Sequence, residues 1–141
     1  MIIGLASDHA GYPLKAHIYQ FLKEKYIIKD YGCANAVDSV DYPSFAQAVC
    51  EDLIEVKIQR GLLVCGSGVG MSLAANRFKG IRAVLCQDLL TARLSREHNN
   101  ANVLCLGNWL VTAKLSEEIL NIWLNTNFAG GRHIDRIEML D

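Results

Sequence analysis

Five short apolar runs, each followed by a stretch with helical spacing, constrain this chain more than any other feature. Ile2–Ala6, Tyr26–Tyr31, Gly61–Cys65, Gly80–Leu85 and Asn102–Leu106 have strand length. After the first run, Leu14, Ile18, Phe21 and Leu22 recur at i, i+4, i+7 and i+8, which marks one helix face. Ala46, Val49, Leu53 and Val56 repeat the stripe after the Tyr42-Pro43 turn. Met71–Arg77 and Asp88–Glu97 are the next helical stretches, and Leu115, Ile119, Ile122 and Trp123 mark a long helix after the fifth run. Gly130-Gly131 breaks that helix before a short tail, Arg132–Leu140. Strands of near-continuous apolar character need a sheet covered on both faces. Right-handed strand-helix-strand crossovers supply that cover. The expectation is an α/β fold: a three-layer α/β/α, Rossmann-like domain with a five-stranded parallel sheet, strand order beginning 2-1-3, and a C-terminal helical tail. With 141 residues, no long linker and no internal repeat, residues 1–141 read as one domain.

Charge and cysteine content exclude several classes of function. Lysine plus arginine is 14 and aspartate plus glutamate is 15, a net charge of −1. Nucleic acids and acidic membranes are bound through basic surfaces, so neither is an expected partner. No segment has the roughly 18 uninterrupted apolar residues of a membrane span. The opening residues, Met1 to Asp8, lack the basic start of a signal peptide. Five cysteines, an odd number with no C-x-x-C, fit neither a zinc cluster nor a disulfide framework. Free thiols in the cytoplasm are the expectation.

Ligands of open parallel sheets bind beyond the carboxyl ends of the strands. The loop after the third strand, Cys65-Gly66-Ser67-Gly68-Val69-Gly70, is the sharpest motif there. Its alternating glycines let backbone N–H groups approach a ligand. The following helix offers its positive end to an anion or a developing oxyanion. A cysteine in that setting serves as a base or nucleophile, or is simply a buried strand-end thiol. The loop is neither G-x-G-x-x-G nor a cysteine-phosphatase loop, because Met71 stands where each needs its last glycine or arginine. Asp8-His9, after the first strand, offers a carboxylate and an imidazole for hydroxyls, phosphate or protons, while Asp8 is also a possible helix cap. His98-Asn99 ends a helical stretch, where a histidine can be only a dipole partner. Arg132 and Arg136, spaced i, i+4 around His133, would share one helix face. His17 reads as a surface residue. Cys33, Cys50, Cys86 and Cys105 read as packing residues.

These residues carry a resemblance. Gly4-x-x-x-Asp8-His9-Ala10-Gly11, Asp41-Tyr42-Pro43, the stretch Cys65 to Arg77, Gly80-Ile81-Arg82-Ala83, Arg96-x-His98-Asn99-x-x-Asn102-Val103-Leu104 and Gly130-Gly131-Arg132-His133-x-x-Arg136 resemble ribose-5-phosphate isomerase type B. The wider family includes galactose-6-phosphate isomerase subunits. The resemblance implies interconversion of ribose 5-phosphate and ribulose 5-phosphate through an enediol, in the pentose phosphate pathway, without metal or other cofactor. It implies that Cys65 is the base, that Ser67 assists it, and that the N–H groups of Gly66, Ser67, Gly68, Val69 and Gly70 hold the enediolate. His98 would open the sugar ring. Asp8 and Asn99 would bind hydroxyls beside Tyr42, and His9, Arg132 and Arg136 would bind phosphate. A homodimer or dimer of dimers is implied, with shared sites and with residues 130–141 packed on the partner subunit. Two positions depart from the pattern: Ser67 replaces a common threonine and keeps its hydroxyl, and Trp109 stands where many members have a phosphate-binding arginine.

Overall fold

The computed structural model describes all 141 residues. The elements are β1 (Ile2–Ser7), α1 (Tyr12–Leu22), β2 (Ile27–Asp30), α2 (Tyr42–Ile54), β3 (Arg60–Cys65), α3 (Val69–Ala75), β4 (Ala83–Leu85), α4 (Leu89–Glu97), β5 (Val103–Gly107) and α5 (Ala113–Asn125). A 3-10 turn, Gly131–His133, and a short helix α6 (Ile134–Glu138) close the chain. The strands form one all-parallel sheet in the order β2-β1-β3-β5-β4. The expected 2-1-3 core is present, and β5 rather than β4 lies next to β3.

The fourth strand is shorter than its apolar run, because its first amides leave the ladder for side chains. Arg82 N–H donates to Asn102 Oδ1 at 2.8 Å and Ala83 N–H to Asn76 Oδ1 at 2.9 Å. The remaining three residues suit an edge position.

Side-chain alternation along β3 explains the two-sided core. Leu62 and Val64 join Leu14, Ile18, Leu22, Ile119, Leu120 and Trp123 in the layer made by α1, α4 and α5. Leu63 and Cys65 join Ala46, Val49, Cys50, Met71 and Ala75 in the layer made by α2 and α3. Each helix starts at the carboxyl edge of the sheet and runs back. Two starts are fixed by side-chain caps: Asp88 Oδ1 accepts Thr91 N–H at 2.7 Å and Thr112 Oγ1 accepts Leu115 N–H at 3.1 Å. No helix is long and apolar enough to cross a membrane.

The turn from β1 into α1 presses on the end of β3. An added Cβ at Gly11 would lie 2.4 Å from the Val64 carbonyl oxygen, a backbone atom that cannot swing away. Gly11→Ala is expected to destabilise the fold by about 1–3 kcal/mol, the usual cost of overpacking. A urea denaturation midpoint checks this, and an unchanged midpoint would contradict the close packing described.

Candidate active site

The loops after β1, β3 and β5 meet at the carboxyl edge of the sheet. Cys65 ends β3, directly opposite Gly107 of β5, and is 5% exposed. Gly68 N–H donates to Cys65 Sγ at 3.1 Å. The amide reaches back because Gly68 has φ +80°, a conformation glycine adopts without a Cβ penalty. An N–H aimed at sulfur is a ready partner for negative charge formed there. Ser67 Oγ accepts Val69 N–H at 3.2 Å, which leaves the hydroxyl hydrogen available. Ser72 N–H is bonded to the Gly68 carbonyl, so the amides of Gly70 and Met71 lie in the unpaired first turn of α3.

Asp8 is 7% exposed. Its Oδ1 accepts Gly11 N–H at 2.9 Å and closes the β1–α1 turn. The N-cap of α1 is Gly11, without a side-chain cap, so the option that Asp8 caps this helix gives way to a turn-closing role. The second oxygen of Asp8 has no partner within the chain. His9 Nδ1 accepts Val40 N–H at 3.2 Å, which makes Nδ1 the unprotonated nitrogen and leaves Nε2 as the donor. Tyr42 opens α2 with its ring against Gly70, where a Cβ would lie 2.7 Å from the ring. Beneath this edge, buried Lys15 donates to Asp30 at 2.8 Å and to the Cys33 carbonyl at 2.8 Å, anchoring the segment that leads to Val40 and Tyr42. Trp109 N–H donates to the Gly66 carbonyl at 3.0 Å, and its ring covers Gly66.

A second cluster lies at the opposite edge. His98 is the C-cap of α4. Its ring stacks on His133, centroids 4.3 Å apart and planes 16° apart. His98, Asn99, His133, Arg136, Ile137 and Leu140 line a cavity of about 310 Å³. The turn carrying His98 and Asn99 is clamped by arginines. Arg82 Nε donates to the carbonyls of Asn99 at 3.0 Å and Asn100 at 3.2 Å. Arg96 Nη1 donates to Asn100 Oδ1 at 2.9 Å and to the Ala101 carbonyl at 2.6 Å. Desolvation, then the charges of His98, Arg132 and Arg136, hold the His133 imidazole below its ordinary pKa.

One expectation about the tail changes here. Arg132 and Arg136 do not lie in one α-helix. Gly130 and Gly131 both have positive φ, and the 3-10 turn that follows places Arg132 in different helical geometry from Arg136 in α6. Only Arg136 of the two lines the cavity. Within the chain, two bonds flank the tail: Ala129 N–H donates to the Glu97 carbonyl at 3.0 Å, and Asp141 Oδ1 accepts Gly80 N–H at 2.7 Å.

One chain therefore brings Cys65, Ser67, Asp8, His9, Tyr42 and the amides of residues 66–70 to one edge. It brings His98, Asn99 and Arg136 to the other. Four residue steps of β5 separate the two levels, about 13 Å at ~3.3 Å per residue. His133 is the residue that sequence reasoning left without a site role. Its place in the Gly-Gly-Arg-His stretch was the only hint, since the stack joins residues 35 positions apart. No three His, Cys, Asp or Glu side chains gather in a group that could hold a metal ion.

The profile of the Ribose/Galactose Isomerase family matches residues 3–140. The chain belongs to this family. Ribose-5-phosphate isomerase B of Escherichia coli is 40% identical over 139 residues, covering 98% of this chain and 93% of that protein. D-erythrulose-4-phosphate isomerase of Pectobacterium atrosepticum is 34% identical over 139 residues, covering 98% of this chain and 91% of that protein. The structure of Clostridium thermocellum ribose-5-phosphate isomerase B superposes with a TM-score of 0.97 at 45% identity, covering 99% of this chain and 95% of that one. This member of the ribose/galactose isomerase family is thus an isomerase of the B type, with the three-layer α/β/α fold of its relatives.

Burial separates the thiols of this isomerase. It pushes Cys50 and Cys86 up to about 12, and Cys105 well above the ordinary thiol value. A raised value keeps these three protonated at neutral pH and therefore slow to alkylate. Iodoacetamide at pH 7.5 is expected to modify Cys65 well before Cys50, Cys86 or Cys105, as read by peptide mass spectrometry. Equal labelling of all four would contradict this.

Proposed function

We propose that the chain interconverts D-ribose 5-phosphate and D-ribulose 5-phosphate, with Cys65 as the base and with each site built from two subunits. The observation that carries this reading is the thiol at the end of β3 with the Gly68 N–H aimed at its sulfur. His98 protonates the ring oxygen; the ring C1–O bond breaks, the O1 hydroxyl gives its proton back to the imidazole, and the open-chain aldose forms. The Cys65 thiolate then takes the C2 proton of the open-chain aldose, and an enediolate forms as electrons move onto O1. Free amides of the 66–70 loop stabilise that oxyanion, with Ser67 assisting. The thiol returns the proton to C1, while the O2 proton passes to O1, and the ketose results. Atoms and electrons balance without an external oxidant or reductant. Asp8 and Asn99 hold sugar hydroxyls beside Tyr42. His9 Nε2–H, Arg132 and Arg136 hold the phosphate, for which an arginine fork is well matched.

The separation of the two clusters supports the two-subunit assembly. Cys65 and His98 face opposite edges of one sheet, so a ring-opening acid can reach the base only from a second copy. A two-fold dimer supplies this reciprocally, giving two identical sites. In that arrangement the tail stays on its own α4, and the whole His98–Arg136 face meets the partner. The five unpaired cysteines fit a cytoplasmic enzyme.

The test is turnover by the purified chain, followed as ketose formation from four-, five- and six-carbon aldose phosphates. The five-carbon sugar is expected to give the highest kcat/KM. A clear preference for a four-carbon sugar, the substrate size in the name of the Pectobacterium relative, or for a six-carbon sugar would contradict the ribose assignment. Cys65→Ala is expected to lower kcat by about 10²–10⁴-fold. Arg136→Ala is expected to raise KM through the loss of a charge-assisted contact of about 1.5–3 kcal/mol. Near-normal turnover by Cys65→Ala would assign the base elsewhere.

A further inference from the structure

The indole of Trp109 is a large apolar surface at the Cys65 edge that the reaction above leaves without a role. It is 73% exposed, whereas the other tryptophan, Trp123, is fully buried. Little of the Trp109 ring area therefore goes into packing within the chain. Trp109 is nevertheless held in place. Its N–H donates to the Gly66 carbonyl at 3.0 Å, and the next two amides, of Leu110 and Val111, donate to the Gly107 carbonyl at 3.0 and 3.1 Å. Its six-membered ring lies against Gly66, where a Cβ would come within 2.5–2.7 Å of three ring carbons. Gly66 directly follows the reacting thiol. The chain thus seats one side of a rigid aromatic surface on the catalytic loop and leaves most of the ring uncovered by its own residues.

An indole carries no charge and has a single donor, Nε1–H, so it does not replace an arginine fork as a phosphate anchor. Its face suits the C–H groups of a carbon skeleton. We propose that Trp109 is a specificity-determining residue: its indole walls the sugar site beside Cys65, takes the C–H face of the bound sugar, and limits the carbon-chain length that fits. This rests on the sugar-phosphate isomerase reading of the same site. A wall of this kind discriminates substrates that differ by one carbon unit by roughly 10–200-fold.

The test compares wild type, Trp109→Phe and Trp109→Ala on five- and six-carbon aldose phosphates. Trp109→Ala is expected to shift the ratio of kcat/KM values toward the six-carbon sugar by about tenfold or more. Trp109→Phe is expected to keep most of the wild-type ratio, and inhibition by inorganic phosphate is expected to stay the same in all three. Tryptophan emission gives a readout apart from turnover: adding ribose 5-phosphate to the Cys65→Ala chain should change the emission of exposed Trp109. That change should vanish in the Cys65→Ala, Trp109→Phe chain, which retains only Trp123. An unchanged ratio in a Trp109→Ala enzyme with native circular dichroism and native sedimentation would overturn the proposal. Dissociation of subunits with an unchanged ratio would also overturn it, and would assign the indole to a subunit contact. Failure of the isomerase reading is seen separately, as wild type turning over no aldose phosphate, and the proposal would fall with it.

Discussion

All five strands point the same way, and that one constraint distributes every functional group in the molecule. A parallel sheet needs each helix to run back from the carboxyl edge to the start of the next strand. Residues that follow a strand therefore collect at one edge, and residues that precede a strand collect at the other. Cys65, Asp8 and His9 follow β3 and β1. His98 and Asn99 end α4 just before β5. No rearrangement of side chains can join them across the depth of the sheet. The separation of these two groups is a consequence of topology, and it is the reason the proposed site takes one group from each of two subunits.

Each group is held through its backbone, by close glycine contacts and by long side chains that reach backbone carbonyls. At the carboxyl edge, Gly11 lies on the Val64 carbonyl and Gly68 turns its amide toward Cys65. Lys15, 3% exposed and paired with Asp30, draws the Cys33 carbonyl under this edge. Removing one partner from such a pair leaves a buried charge without compensation, so the pair fixes position more than it adds stability. At the other edge the carbonyls of Asn99, Asn100 and Ala101, in the turn after α4, are taken by Arg82 and Arg96. The turn that carries His98 and Asn99 is thereby rigid before any substrate arrives.

Much of this was legible in the residues. Apolar runs without polar alternation demanded a sheet covered on both faces, and the Leu62 to Cys65 alternation between two helical layers is how the chain meets that demand. The Cys65 loop was legible because its glycines alternate directly after a strand. The neighbour of β3 was not, since β4 and β5 are equally apolar and only the ladder distinguishes them. The shortening of β4 depends on Asn76 and Asn102, whose amide side chains replace ladder partners from outside the strand. The i, i+4 spacing of Arg132 and Arg136 assumed one α-helix, whereas Arg132 lies in a 3-10 turn and Arg136 in α6. The His98–His133 stack and the seat of Trp109 on Gly66 join residues far apart in sequence, and no local pattern encodes them.

In the proposed assembly each active site takes Cys65 from one subunit and Arg136 from another. Subunit exchange between two inactive variants tests it directly. Cys65→Ala chains are mixed with Arg136→Ala chains, exchange is followed by mass spectrometry of a tagged copy, and isomerase activity is measured before and after. In a mixed dimer with shared sites, one site keeps both residues and the other has neither, so activity reappears as mixed dimers form. Demonstrated exchange without any recovery would mean that both residues serve the site of their own chain, and the two-subunit account would be wrong.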